Sequence, residues 1–523
     1  MEINIIGAGL AGLSSAITLA KQNISCNLIS VLPSERAQSV LAEGGINGAL
    51  DTMGEGDSPQ EHMADTMKAG AYIADPAAVE GLTGHAPGIL RRLAELGMPF
   101  NMENGRIIQR NFGGQKKKRT AFAKSSTGKM LMSVLIDEAR KYEACGLIRR
   151  FAHHEFEALE VVYGCCTGVW VRDTFTGTVM FFPGQVIMCT GGLNGFFPGM
   201  TTGTVPNTGD AAAKVFSQGV RFSNLEMIQY HPTTAGIAGK RCLVSEAARG
   251  EGGRLFAVKD GRPWFFMEEK YPELGNLMPR DVVAREMYFV MHSGGSEGQV
   301  FLEMRHLPAK IWKEKLPDFR EEIMHYLNID PAREPVPVEP GIHYFMGGID
   351  VDICHRTNIS GLYAAGECCS QYHGANRLGG NSTMGAIYGG EVAAETAADE
   401  AELFSECGMP ESVYAAGEAA SSAFTGVMSR ILLDSLGIVR NHGDIQAALK
   451  ALDELNKPDL NVAENSRIAL ARAMLLCADY RKESRGAHFR EDFPEMNDAY
   501  KGETIALCDA ESGDIHIGFE SRA

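Results

Sequence analysis

Five short polar clusters hold the side chains of this sequence that are best suited to chemistry. Two histidines and several arginines brought to one place would suit a small dianion, because arginine clamps carboxylates through paired hydrogen bonds and histidine adds further donors. Four of the clusters stand against Gly or Pro, where the backbone must take a particular shape. The pattern indicates neither a metal site nor a Ser/His/Asp arrangement. The clusters are "QYHPTT" with Gln229 and His231, "SEAARGEGG" with Ser245, Glu246 and Arg249, "MPRD" with Arg280, "HYFMGG" with His343, and "HGANRLGGNS" with His373 and Arg377.

A glycine-rich turn near the N-terminus predicts a dinucleotide site. The stretch "INIIGAGLAGLSSAITLAKQN" has the pattern of a strand, a turn with Gly7, Gly9 and Gly12, and an amphipathic helix. In such a unit the first glycine allows the tight turn, the second admits a pyrophosphate to the backbone, and the third lets the helix pack on the strand. The N-terminus of the helix then faces the phosphates.

The second strand of this unit lacks the acidic residue that usually binds a ribose hydroxyl in nicotinamide enzymes. That strand is predicted over 27–32, and the position in question falls near Ser30, with no carboxylate before Glu35. This disfavours a nicotinamide cofactor. Taken alone, these residues indicate a flavin or nicotinamide oxidoreductase that acts on an anion.

The remaining pattern predicts a chain of several domains. Apolar strands lead into glycine-rich turns at 184–192 and 361–401, and 231–340 interrupts these two parts like an inserted domain. Beyond residue 400 the apolar residues follow a helical period, which predicts helices over 412–435, 444–456 and 461–482. The length of 523 residues favours two to four domains.

Composition narrows the partners and the location. A net charge of −17 argues against nucleic acid, and the basic run from Lys116 to Arg119 is predicted to be a solvated loop that could draw in an anionic substrate. No run of 18 apolar residues is free of charge or glycine breaks, so we predict no membrane span. The twelve cysteines include no Cys-x-x-Cys pair, which indicates reduced thiols and no zinc or iron–sulfur ligand set. These features predict a location in the cytoplasm or at the cytoplasmic face of a membrane complex.

The sequence resembles the flavoprotein subunits of succinate dehydrogenase and fumarate reductase. This resemblance implies an α/β plus α fold: a Rossmann-like FAD-binding domain (1–230 and 341–400), an inserted α+β capping domain (231–340), a C-terminal helical domain (401–490) and a C-terminal segment (491–523). The similar motifs run nearly from end to end: "GAGLAGLSSA", "LAEGGINGAL", "FGGQKKKRTAFAKSSTG", "CTGG", "NTGDA", "QYHPT", "SEAARGEGG", "PRDVVAREM", "HYFMGGI", "GECCSQYHGANRLGGNS" and "ESRGAHFREDFP".

The resemblance also assigns roles to individual residues. It implies that a C4-dicarboxylate is held by His231, Ser245, His343 and Arg377, and that Arg280 protonates one alkene carbon while a hydride reaches its neighbour from the flavin. It implies further that Glu246 and Arg249 relay protons to Arg280. By the same motifs, FAD would lie along Gly7, Gly9, Gly12, Ser39, Gly44, Gly45, Asp210, Glu367, Arg377 and Ser382.

Two further features concern the cofactor link and the partner. Most of the family carries a histidine, covalently bound to the flavin, where this sequence has Gln38. We therefore predict FAD held by non-covalent contacts alone, and a chain that favours fumarate reduction over succinate oxidation. Because the sequence offers no cluster ligands, electrons are expected from a separate iron–sulfur subunit, and any membrane contact would be indirect.

Two other functions remain open at this stage. L-Aspartate oxidase is a sister group that shares "HP", "SEAARGEG" and "HGANR". Its other motifs tend to read His-Tyr-x-Cys-Gly-Gly and Asn-Arg-Met-Ala-Ser-Asn-Ser, whereas this chain has "HYFMGG", "NRLGGNS" and "FGG". The second alternative is a flavin-bearing assembly subunit without catalysis of its own.

Overall fold

A five-stranded parallel sheet organises the nucleotide-binding part of the chain. The computed structural model describes residues 2–237, 239–404, 410, 414 and 417–521. The first strand, Ile3–Ile6, lies in the middle of the sheet, and every residue in it is buried. Both faces are covered, so near-continuous apolar strands are the expected pattern. In spatial order the strands are Leu362–Ala364, Val186–Met188, Ile3–Ile6, Cys26–Ser30 and Ile148–Ala152.

Helices and small antiparallel sheets complete this FAD-binding domain. Helix Leu10–Lys21 packs against helix Asn381–Asp399, so the start and the end of the domain meet at one place. The other helices are Pro59–Ala69, Pro76–Glu95, Thr127–Ala144 and Asp210–Ser217. An antiparallel three-stranded sheet consists of His154–Val162, Cys165–Asp173 and Val179–Pro183. Short strands pair at Ile46–Asn47, Thr120–Ala121 and Gln109–Arg110, and at Met102–Glu103 and Arg106–Ile107.

The capping domain is built on a six-stranded antiparallel sheet with an apolar core of its own. In spatial order its strands are Lys240–Leu243, Ile228–Ile237, Val336–Phe345, Val300–Glu303, Arg254–Lys259 and Arg262–Trp264. Its helices are Ala247–Gly250, Phe266–Lys270, Arg280–His292, Ala309–Glu314 and Pro317–Leu327. The two long strands Ile228–Ile237 and Val336–Phe345 connect this sheet to the FAD-binding domain, and the predicted limits at 231 and 340 fall inside them. The exact domain boundaries stay a prediction.

Three helices follow, and a β-hairpin ends the described chain. The helices Ser422–Ser435, His442–Leu455 and Val462–Tyr480 begin after residues whose side chains cap them, and Asn461 forms a capping box with Glu464. The predicted helix over 412–435 begins ten residues later, at Ser422, because the Ser421 side chain accepts the amide of Phe424 and starts the helix there. Residues 412, 413, 415 and 416 of that prediction lie outside the described residues. Strands Gly502–Cys508 and Ile515–Ser521 extend a sheet that also contains Phe222–Ser223, Gly348–Asp350 and Cys369–Ser370.

The prediction of a solvated loop is wrong for Arg119. Its side chain is fully buried and pairs with Asp57 at 2.9 Å and with Asp65 at 3.0 Å. A buried guanidinium needs such partners, because an unpaired charge in the interior is strongly destabilising. Lys118 remains partly exposed and pairs with Glu55.

Candidate active site

The glycine-rich turn has the close contacts that the sequence predicts. Gly7 has a φ of 113°, and a Cβ there would lie 2.1 Å from the carbonyl oxygen of Cys189, which directly follows the neighbouring strand. A Cβ on Gly12 would lie 1.8 Å from the carbonyl oxygen of Gly7, so only glycine allows the helix to pack this closely. The turn lines a cavity of about 570 Å³, a size that suits a cofactor site.

The opposite walls of the cavity hold the other predicted cofactor residues. Ser39 accepts the amide of Leu10 at 3.2 Å, and Gly45, with a φ of 143°, packs against the carbonyl oxygen of Ala121. Helix Asn381–Asp399 begins at the cavity, after Gly380, without a side-chain cap. The residues of the prediction that line the cavity are Gly7, Gly9, Ser39, Gly44, Gly45, Asp210, Glu367, Arg377 and Ser382.

These walls fit FAD in their chemistry. Two helix N-termini, at Leu10 and at Asn381, begin at the cavity wall, and the partial positive charge of a helix N-terminus favours phosphate. Burial raises the pKa of the Glu367 carboxyl to about 7. Its oxygens face the amide of Phe345 at 3.2 Å and the amide nitrogen of Gln38 at 3.5 Å. The carboxylate of Asp210 already has a protein partner, because it accepts a hydrogen bond from Nε of Arg467 at 2.5 Å.

Gln38 is held in the cavity wall by a polar network. Its side-chain oxygen accepts Nδ2 of Asn194 at 3.0 Å and the backbone amide of Thr204 at 3.2 Å, while its nitrogen points to Glu367. The amide therefore has a fixed orientation beside a carboxyl group.

The capping domain brings the three predicted proton-relay residues together. Arg280, at the start of its helix, donates from Nε at 3.0 Å and from Nη2 at 2.6 Å to Oε2 of Glu246. Arg249 lies with its Nη2 3.4 Å from the other oxygen of Glu246 and donates from Nη1 to the carbonyl of Asn276 at 2.7 Å. All three side chains are buried. A continuous charged path therefore leads from Arg249 through Glu246 to Arg280.

Electrostatics keep this carboxylate ionised. Burial acts to raise the pKa of Glu246, but the charges of Arg280 and Arg249 outweigh burial and lower the pKa to about 2. The pKa of Arg249 is lowered by burial, against the opposing effect of Glu246. Glu246 is therefore an ionised carboxylate held between two arginines.

Two histidines face each other at the same site. The ring centroids of His231 and His343 lie 5.1 Å apart, and Nδ1 of His343 is 2.8 Å from the hydroxyl of Thr202. Burial first, and then the charge of Arg280, holds the pKa of both rings well below the usual value, so both are neutral. The buried Nε2 of His231 has no hydrogen-bond partner among the described residues, which leaves it available to a ligand.

Arg377 completes the ring of predicted substrate residues. Its guanidinium donates to Ser382 at 2.8 Å and to the side-chain oxygen of Gln229 at 3.2 Å, and it lies over the ring of Tyr344 at 4.5 Å. Burial, reinforced by Arg280, lowers its pKa to about 9. Ser245 is also buried and lines the same cavity.

The charge of the cluster matches a dianion. Of the four charged residues Arg249, Arg280, Arg377 and Glu246, three are positive and one is negative, and the raised pKa of Glu367, about 7, limits the charge that its carboxyl adds beside Arg377. Neutral histidines add donors without adding charge. Two positive charges in excess, in a buried and water-poor site, would be balanced by two carboxylates.

The comparisons identify the family of this arrangement. A family model described as "FAD binding domain" matches residues 2–383, and a model described as "Fumarate reductase flavoprotein C-term" matches residues 464–522. The succinate dehydrogenase flavoprotein subunit of Bacillus subtilis is 37% identical, over 95% of this chain and 92% of its own length. The chain belongs to the succinate dehydrogenase and fumarate reductase flavoprotein family. This is an FAD-dependent oxidoreductase family, and the predicted fold class is confirmed.

Two further members of this flavoprotein family are similar over nearly the whole chain. The 8-methylmenaquinol:fumarate reductase flavoprotein subunit of Wolinella succinogenes is 34% identical, over 99% of this chain and 90% of its own length. A solved structure of the quinol fumarate reductase of E. coli superposes with a TM-score of 0.88 at 30% identity, covering 100% of this chain and 97% of the other. No helix in the described part of the chain combines the length and apolar character needed to cross a bilayer.

Two residues of this site, Thr202 and Gly113, were not expected from the sequence, and Gln229 was named there without a role. Gln229 bridges Arg280 and Arg377 through one oxygen, Thr202 orients His343, and the amide of Gly113 contacts Glu246 at 3.2 Å. The role of Gln229 beside His231 was accessible from the sequence, because residues two apart on a strand share a face and both lie on the same strand. Thr202 and Gly113 lie in loops, where no periodicity indicates which way a side chain or amide points.

Proposed function

We propose that this chain reduces fumarate to succinate as the catalytic flavoprotein subunit of a fumarate reductase or succinate dehydrogenase complex. The observation that carries the proposal is the position of Arg280. It lies in the cavity wall beside His231, His343 and Arg377, with its proton relay behind it. Such a site can hold a C4-dicarboxylate and give it a proton.

In this proposal the residues of the site bind and orient the dianion. His231, Ser245, His343 and Arg377 hold its two carboxylates, and Gln229 keeps Arg377 and Arg280 at a fixed separation. Bound FAD supplies a hydride. The capping domain excludes water, which strengthens each of these electrostatic contacts.

Arg280 acts as the acid that protonates the second carbon. A guanidinium normally keeps its proton, so this role requires a loss that is only momentary. The developing negative charge on the substrate favours the transfer, and Glu246 returns a proton at once from Arg249 through contacts of 2.6 Å and 3.4 Å.

Gln38 makes the cofactor non-covalent and sets the favoured direction. An amide has no ring nitrogen that could form the flavin link found in most of the family. In the family that link raises the reduction potential of the flavin, which helps it accept electrons from succinate. Without it the reduced flavin is the better donor, so we propose that fumarate reduction is faster than succinate oxidation.

The source of electrons and the cellular location are proposed from the relatives in the family. Relatives are named as flavoprotein subunits of a succinate dehydrogenase and a fumarate reductase, and we propose that an iron–sulfur subunit delivers electrons to this chain. The chain would then work in the cytoplasm, or at the cytoplasmic face of the membrane, with only indirect membrane contact.

The test of this function is a comparison of three substrates. The purified chain, loaded with FAD, is assayed with fumarate and a reduced dye, and with succinate and L-aspartate as donors to an oxidised dye. We expect fumarate reduction to be the fastest reaction. L-Aspartate oxidation as the main activity would favour the oxidase alternative, which the named relatives do not support. A folded, FAD-loaded chain without any turnover would favour the assembly role.

A further inference from the structure

The relay carboxylate of the capping domain rests against two glycines of the FAD-binding domain. The amide of Gly113 donates to Oε1 of Glu246 at 3.2 Å. A Cβ added to Gly113 would lie 2.8 Å from that same oxygen, and one added to Gly379 would lie 3.1 Å from Oε2. Gly113 and Gly379, here called the glycine notch, therefore enclose Glu246 from both sides.

One side chain of the FAD-binding domain holds the two halves of the notch together. Gln115 accepts the amide of Phe112 at 3.2 Å and donates to the carbonyl of Gly379 at 3.0 Å and to Asn47 at 3.1 Å. The loop with Gly113 and the loop with Gly379 are thus one unit, although they are far apart in sequence. The notch is a preformed seat on one domain for a carboxylate that belongs to the other.

The same glycine also touches the segment that leads into Arg280. A Cβ on Gly113 would lie 3.1 Å from the carbonyl oxygen of Met278, two residues before Arg280. Nearby, the carbonyl of Asn276 accepts a hydrogen bond from Arg249. Gly113 therefore sits where the relay and the proton donor converge, and a side chain there would push on both.

We propose that the amide of Gly113 orients Glu246 within the proton relay from across the domain interface. Its hydrogen bond to Oε1 holds that oxygen toward Arg249 and leaves Oε2 to Arg280. Gly379 lies against Oε2 from the other side. Gly113 is in this account a positioning residue, and the proposal rests on the proposed function.

The first arm of the test is kinetic. Gly113→Ala is compatible with the backbone, because Gly113 is not among the residues with positive φ. It should lower kcat for fumarate roughly 10- to 100-fold with KM little changed, since a displacement of about 1 Å is enough for such a loss. The matched control is Gly236→Ala, an exposed cap position where a Cβ meets nothing within 4 Å. A Gly113→Ala protein that turns over like Gly236→Ala would overturn the proposal.

The second arm does not need turnover. Hydrogen–deuterium exchange of the Gly113 amide is followed in the FAD-loaded chain and in a Glu246→Ala variant. The amide should exchange faster in the variant, while peptides of the central parallel sheet stay unchanged. Equal exchange at Gly113 in both proteins would overturn the proposal. If the unsubstituted chain does not reduce fumarate, the proposed function is wrong. The exchange experiment would still show whether the Gly113 amide is bonded to Glu246. If Gly113→Ala fails to fold, the exchange result decides alone.

Discussion

Arg280 meets Glu246 through two hydrogen bonds to a single carboxylate oxygen, from Nε at 3.0 Å and from Nη2 at 2.6 Å. This leaves the second oxygen to Arg249 and to the amide of Gly113. The two oxygens thus have different partners, one toward the substrate cavity and one away from it. A carboxylate in this position can accept a proton on one oxygen and release one from the other without rotation of its side chain.

FAD should leave the protein completely when the protein is denatured. Acid precipitation is expected to release all yellow colour into the supernatant, because Gln38 offers no nitrogen for a covalent link. Gln38→Ala should also lose FAD faster on gel filtration, since Asn194 and Thr204 lose their acceptor. Flavin that stays with the precipitated protein would show that the cofactor is attached elsewhere.

The stability of the fold should depend on Glu246 in a defined pH range. Its pKa is lowered from 4.5 to about 2, so the ionised carboxylate stabilises the fold fully above pH 4.5 and loses this effect as pH falls toward 2. The difference in unfolding free energy between the unsubstituted chain and Glu246→Gln should be constant from pH 5 to 7. It should narrow by roughly 1 kcal/mol by about pH 3.5. Urea midpoints measure this, with exposed Glu297→Gln as the control. If this difference in unfolding free energy grew larger on acidification, the lowered pKa of Glu246 would be contradicted.

The two histidines should contribute no change in dicarboxylate affinity around neutral pH. His231 and His343 have pKa values well below the usual 6.5, so neither loses a charge as pH rises from 6 to 8. Arg377, with its pKa lowered to about 9, loses its charge as pH passes that value, and affinity should then fall. Titration of the flavin spectrum with succinate at several pH values checks both parts. Glu367, with a pKa of about 7, also ionises in this range, so a tenfold loss of affinity between pH 6 and 7.5 that remains in Glu367→Gln would mean that a charged histidine binds the substrate.

Electrons should enter from a separate protein. The sequence has no cysteine pattern for a cluster, and no group of three or more metal-ligating side chains lies together in the described residues. Purification from native cells should therefore recover the chain with an iron–sulfur partner. A chain that runs alone and takes hydride rapidly from NADH would contradict this expectation.

Local features of the fold followed from the sequence, whereas distant pairings did not. The turn at Gly7 and Gly12 was predictable because its contacts lie within one strand–turn–helix unit. Arg119 was misjudged because its partner Asp57 lies 62 residues away, and a run of basic residues carries no sign of a buried carboxylate. The start of the helix at Ser422 was misplaced because apolar periodicity continued through the cap.

The members of the candidate site were named from the sequence, whereas its geometry was not predictable. Residues 246, 280 and 343 are spread over three motifs, and only the family resemblance brought them together in advance. Their distances, the bridge through Gln229 and the seat at Gly113 depend on how the capping domain lies on the FAD-binding domain. That arrangement arises from long-range packing, which cannot be predicted from the spacing of motifs or from amino-acid composition.

The role of Arg280 as proton donor is tested most directly by one comparison of rates. Arg280→Gln and the exposed cap variant Arg262→Gln are purified with FAD, and their kcat for fumarate is measured with a reduced dye. We predict that Arg280→Gln keeps its flavin and still binds succinate but loses at least about 10³-fold in kcat, because a proton needed in the transition state is missing. Arg262→Gln should match the unsubstituted chain. Turnover by Arg280→Gln within a few-fold of that chain would contradict the account.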